Sequence, residues 1–144
     1  MKDSDIILIK GNHDKFDFSG KEMKNYYFNS GIMFFHGHMA FPQIFEERVS
    51  TWVLGHLHPS VTLSDKANIK REKYKCFLTG EFKEKEVIIV PSFFGIIEGT
   101  PVNEKEYERE GFSVIPNSEL RNFDVHAIND DGKIYDFGKA EKLM

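Results

Sequence analysis

Three short loops in this chain combine side chains that bind divalent metals and move protons: Gly11-Asn12-His13-Asp14, His36-Gly37-His38 and Gly55-His56-Leu57-His58. Imidazole nitrogen together with amide or carboxylate oxygen suits borderline ions such as Mn, Fe, Co, Ni and Zn. In an extended His-x-His pair both rings leave the same side of the chain, so the pair can serve two ions a few ångströms apart. The glycines let the backbone turn sharply and pass close to what the side chains hold. A single His-x-His is an ordinary polar turn; three such loops in order form the pattern of a metal site.

Each loop follows a short apolar run, at residues 6–9, 32–35 and 51–54. Such runs read as strands, which places all three loops at strand C-termini, the edge where open sheets gather ligand-binding side chains. The run Ile6-Ile7-Leu8-Ile9 is wholly apolar and ends at Gly11, as expected of a strand buried on both faces, with its cover supplied from elsewhere. Further β-rich segments lie at 26–28, 75–78, 87–90, 123–128 and 134–137, separated by Gly, Pro, Asn or Asp. Asp130-Asp131-Gly132 between two of them is a hairpin signal. Helical candidates are weaker, at 43–48 and 104–110. The stretch 99–122, with two prolines and high charge, reads as a long excursion over the active face.

The bulk of the chain sets limits on partners and compartment. Its 144 residues fit one domain that buries about two-thirds of its unfolded surface. Fourteen Phe, five Tyr and one Trp supply the core. A net charge of -4 excludes nucleic-acid binding through the overall field and leaves one local basic stretch, residues 66–75, which reads as a solvated strand or hairpin edge. Cys76 is the single cysteine, so no intrachain disulfide forms, and it reads as core in a reducing compartment. With no charged-then-apolar leader and no apolar run of spanning length, the expectation is a cytoplasmic protein without a membrane helix.

The three loops resemble the motifs of the calcineurin-like metallophosphoesterases. Gly11-Asn12-His13-Asp14 is similar to that family's GNHD/E motif, His36 to the isolated histidine that follows it, and Gly55-His56-Leu57-His58 to its terminal GHxH motif. The segments 35–42, 55–59, 71–78, 91–93 and 98–100 resemble the ICC-like, nuclease-related phosphoesterases more narrowly. The resemblance implies an α/β fold, a metallophosphoesterase β-sandwich flanked by helices in four αββα layers, incomplete in this chain. It implies Asn12, His36 and His56 as ligands of one metal and His58 as a ligand of a second. It also implies His13 as the acid that protonates the leaving oxygen, with Asp14 holding its imidazole. His38 matches no ligand position and is read as facing the substrate or the surface. His126, far from the motifs, is read as structural.

The resemblance also implies what completes such a site: an Asp-x-His strand end and a Gly-Asp-x-x-Asp strand end, neither of which the chain carries, Asp3 and Asp5 standing in no such arrangement. Residues 1–144 are therefore expected to be the C-terminal part of one metallophosphoesterase domain. The expected activity is metal-dependent hydrolysis of a phosphate ester, nucleotide or nucleic-acid substrate. The expected cofactor is two divalent ions, Mn first and Fe, Zn, Ni or Co as alternatives. The expected partner is an N-terminal half-protein or a further copy of the chain. The alternative from another class is a non-catalytic binding or scaffold module.

Overall fold

A computed structural model gives the structure of the protein and describes residues 6–15, 20–67, 69–104 and 112–144. Its strands are β1 (Leu8–Ile9), β2 (Met23–Lys24), β3 (Tyr26–Asn29), β4 (Ile32–Phe35), β5 (Thr51–Leu54), β6 (Pro59–Ser64), β7 (Arg71–Phe82), β8 (Lys85–Ile89), β9 (Thr100–Pro101), β10 (Asp124–Ile128) and β11 (Ile134–Lys139). β1 and β2 pair in parallel as a separate ribbon. The remaining nine strands form one mixed sheet along the path β11-β10-β7-β8-β5-β4-β3, with β6 paired to β7 and β9 to β6.

This architecture corrects the expected αββα sandwich flanked by helices. The described residues hold only three short 3-10 turns, at Pro42–Phe45, Asn117–Asn122 and Ala140–Leu143. The candidate at 43–48 shrinks to the first of these. Its leading residue, Phe41, is extended and makes no side-chain cap, and the chain is extended again at Glu46, so a nucleus forms and does not propagate. The candidate at 104–110 lies outside the described residues apart from Glu104, as do Asp3 and Asp5.

Topology supplies the deeper reason. Parallel strands usually need a crossover helix, and β4, β5 and β8 are parallel neighbours. Between β5 and β8, however, the chain runs out through β6 and β7 and reverses into β8 by a hairpin at residues 83–84, so β8 returns parallel to β5 with no helix.

One face of the sheet carries the core. Along β4, β5, β8, β7 and β10 alternate positions are buried, giving Met33, Phe35, Trp52, Leu54, Val87, Ile89, Cys76, Leu78, Val125 and Ala127. Trp52 packs edge-on against Phe35 and Phe45 and donates its indole N–H to the Ile44 carbonyl at 2.8 Å, which ties the 42–45 turn to the sheet. Gly80 in β7 meets the ring of Phe123 so closely that a Cβ there would stand 2.7 Å from it. Burial pushes the Cys76 thiol up to about 12, as fits a core position. The run 6–9, expected to be buried on both faces, instead leaves Ile6 64% and Ile7 37% exposed, because only β2 pairs with it among the described residues. No helix among the described residues is long and apolar enough to cross a membrane.

Candidate functional site

The level ends of the parallel strands bring the histidines together. Phe35 of β4 lies opposite Leu54 of β5, and one residue further on the Gly55 N–H donates to the His36 carbonyl at 3.2 Å. His36 and His56 therefore emerge side by side, with ring centroids 4.9 Å apart and His56 Nδ1 3.2 Å from His36 Nε2. Gly37 makes the exit possible: its φ is +103°, and a Cβ there would stand 2.7 Å from Leu54 Cδ1. His56 and His58 adopt φ of +45° and +44°, a left-handed conformation that is uncommon outside glycine and is found at functional sites.

Asn12 arrives from the other side. After β1 the chain turns at residues 11–14, where the Gly11 N–H donates to Asp14 Oδ2 at 2.7 Å. The buried Gly11 backbone packs against the His36 ring, and a Cβ there would lie 3.1 Å from His36 Cε1. Asn12 Oδ1 then stands 3.0 Å from His36 Nε2, while Asn12 Nδ2 donates to His13 Nε2 at 3.2 Å.

Proton positions follow from the partners. His56 Nε2 faces the Phe112 carbonyl at 3.2 Å, a contact that favours the proton on Nε2 and an acceptor at Nδ1. Asn12 Oδ1 is also an acceptor. Asn12 Oδ1 and His56 Nδ1 both lie within hydrogen-bond distance of His36 Nε2, at 3.0 and 3.2 Å.

A cation between these three atoms would face an amide oxygen and two imidazole nitrogens. Ligand atoms about 2.1 Å from one ion stand ~3.0 Å apart at right angles and ~3.4 Å apart at the tetrahedral angle. The two spacings here, 3.0 and 3.2 Å, fall in that interval. The Phe112 carbonyl supplies the outer contact that fixes the tautomer of a ligating imidazole. The donor set thus fits a single divalent ion. The cluster is two imidazoles and an amide, and among the described residues no group of three or more His, Cys, Asp or Glu side chains is placed to hold a metal.

The other sequence candidates fall into place around this group. His13 is exposed and linked to it through Asn12. The Asp14 carboxylate closes the 11–14 turn through Gly11, and the described contacts do not join it to the His13 ring. His38 lies beside the cluster, its ring centroid 5.1 Å from His36 and 6.0 Å from His56. Burial holds the His38 pKa below the ordinary histidine value, and its buried Nδ1 has no hydrogen-bond partner among the described residues. For His58 the described geometry fixes the backbone, whose carbonyl accepts from the Thr100 N–H at 2.8 Å and starts β9. His126 sits in mid-strand on β10, with Nε2 2.8 Å from Thr79 Oγ1 on β7 and Nδ1 3.9 Å from Asp136 on β11.

Two features lay beyond a reading of side-chain motifs. The Phe112 carbonyl is a backbone group, and the only signal for it was the expected excursion at 99–122; of that stretch's described residues, Val114 also donates its N–H to the Gly37 carbonyl, at 3.0 Å. Of the basic stretch 66–75, residues 71–75 lie in β7, and the cations from Lys70 to Lys75 are paired. Lys70 pairs with Glu72, Arg71 with Glu104 and Lys73 with Glu98, and Lys75 donates to the Ser92 and Phe94 carbonyls. No protein-family model, curated protein or solved structure matches the chain.

Proposed function

We propose that this chain carries the metal-ligating half of a phosphoesterase site, in which Asn12, His36 and His56 hold one divalent ion, Mn in the first place. The observation that carries the reading is the convergence of Asn12 Oδ1 and His56 Nδ1 on His36 Nε2, at 3.0 and 3.2 Å. Such an ion, when bound, supplies Lewis-acid polarisation of a phosphoryl oxygen and a lowered pKa for bound water.

The roles left to the chain's own residues are orientation and proton transfer. Phe112 holds the His56 tautomer through its carbonyl, and Gly11 packs the His36 ring in place. His13, exposed and one residue from the cluster's amide, is the proton donor to the leaving oxygen. His58 is reserved for a second ion, whose carboxylate ligands come from a partner polypeptide. A lone, buried Cys76 fits a reducing compartment such as the cytoplasm.

Calorimetric titration of the full chain with Mn tests this reading. The expected result is one ion per chain, with affinity reduced at least ~100-fold in His36→Ala and in His56→Ala, since loss of an outer contact alone costs about 10- to 100-fold. Hydrolysis of bis-p-nitrophenyl phosphate is expected to appear when the partner's carboxylates are added. No Mn binding by the wild-type chain would sink the proposal. One ion bound with no turnover under any addition would favour the scaffold reading. The paired cations Lys70, Arg71, Lys73 and Lys75 disfavour a nucleic-acid-binding role for the β6–β7 hairpin.

A further inference from the structure

We infer that the antiparallel half of the sheet carries a second binding site, an aromatic-walled cavity that takes a small organic cation of the quaternary-ammonium type. It is independent of the metal reading. The cavity measures about 260 Å³, with walls of Tyr74, Tyr135, Phe137, Leu63, Ala127 and Ile128. Strand register builds it. Tyr74 and Cys76 lie two apart on β7, Cys76 stands opposite Ala127 on β10, and Ala127 stands opposite Tyr135 on β11, so all four side chains leave the same face of the sheet. Cys76 and Ala127 are buried in the core, whereas Tyr135 and Phe137 are 46% and 37% exposed. The core face therefore runs out here into an open aromatic wall.

The ring faces in this wall are uncovered. Elsewhere the chain sets its own cations on its aromatics: the Arg48 guanidinium lies 4.5 Å from the Phe28 centroid and the Lys83 ammonium 5.2 Å from that of Phe45. Among the described residues no cation stands over Tyr74, Tyr135 or Phe137. Nor do these three rings stack on one another, so the space between them is the cavity.

Charge at the rim chooses the sign of the ligand. No described cationic side chain lines the cavity. Around it Lys70 is matched by Glu72, Lys73 by Glu98 and Lys133 by Asp131, while Lys75 is held on the Ser92 and Phe94 carbonyls. Asp130, in the turn between β10 and β11, makes no ion pair among the described residues, and it lines an adjoining hollow that shares Tyr74 and Ile128 with the cavity. One carboxylate without a counter-ion beside three ring faces attracts a monocation and repels an anion. The volume falls below the ~300 Å³ at which drug-sized sites begin, so it suits a trimethylammonium head on a short stem. A lysine-type ammonium, compact and strongly hydrated, gives up more on entering such a wall than a methylated cation does.

The test titrates the full chain with choline and with 3,3-dimethyl-1-butanol, its neutral carbon isostere, by calorimetry. The expected result is choline bound ~10-fold more tightly, a ratio that falls at least ~3-fold in Phe137→Leu, which keeps an apolar wall and removes a ring face, and again in Asp130→Asn. Because the readout is a ratio, a general loosening of the cavity cancels. Equal affinity for the two ligands, or binding of neither, would overturn the inference. So would a ratio that Phe137→Leu leaves unmoved, since the cation would then be held elsewhere. Self-association of the wild-type chain that is lost in Tyr135→Ser/Phe137→Ser, with no preference for choline, would overturn it in favour of a second copy paired along the β11 edge.

Discussion

His126 and His36 belong to one sheet and do opposite things. His126 lies in the middle of β10, among antiparallel neighbours, and its ring is engaged across the sheet by Thr79 and approached by Asp136. His36 lies one residue past the end of β4, among parallel neighbours, and its Nε2 meets acceptors delivered by two other loops. Within a strand, the ladder fixes which side chains are adjacent, so a polar group there satisfies itself locally. Past the ends of parallel strands, several chains open toward the same point, and polar side chains from separate loops can be gathered there.

Two glycines break this comparison most sharply. Gly37→Ala puts a Cβ at φ +103° and 2.7 Å from Leu54 Cδ1, so it strains the exit from β4. We expect a loss of ~2 kcal/mol in denaturant unfolding, as for other overpacked positions, together with roughly tenfold weaker Mn binding as His36 moves. Gly80→Ala, with its Cβ 2.7 Å from the Phe123 ring, is expected to cost ~2 kcal/mol as well. Its Mn affinity should stay that of the wild type. Equal Mn affinities in the two variants would mean that the strand-end geometry does not control the cluster.

A smaller effect is expected from His126→Ala. It removes the bond to Thr79 Oγ1 and should lower unfolding stability by ~1 kcal/mol, the usual net contribution of such a bond, with Mn titration unchanged. A drop in Mn affinity here would show that the antiparallel half also serves the site.

The smallest effect is the absence of one. With its thiol buried and pushed up to about 12, Cys76 should not react with dithiobisnitrobenzoate at pH 8 until the chain unfolds. The folded value lies above the ordinary 9.0, so this group's contribution to stability is complete below pH 9 and is lost as pH rises from there toward 12. Rapid labelling of the native chain at pH 8 would show that the core opens around β7.

Much of the sheet was legible in the sequence where an apolar run ends at a glycine or a polar loop. Residues 32–35 and 51–54 form β4 and β5 with the expected bounds, and Asp130-Asp131-Gly132 turns β10 into β11. β6 escaped because Pro59-Ser60-Val61-Thr62-Leu63-Ser64 has little apolar contrast; its strand state comes from pairing with β7. The helical layers were expected from a resemblance, and the even number of chain reversals between β5 and β8 removes the need for them. In the site, the residue types at 12, 36 and 56 were legible. The Phe112 carbonyl was not, since any residue carries one, and neither was the proximity of His38, which depends on how Gly37 turns.

The bond from Gly55 N–H to the His36 carbonyl has a consequence for how this region could change over time. It is one extra rung on the β4–β5 ladder, so the spacing of the two imidazoles is set by hydrogen-bond register and is indifferent to how many residues lie between them. Insertions or deletions in the connection around the 42–45 turn could accumulate without disturbing the pair. A slip of one residue between the strands would displace one imidazole by about 3.3 Å and turn its strand over. The chemistry is thus insulated from loop length and exposed to alignment.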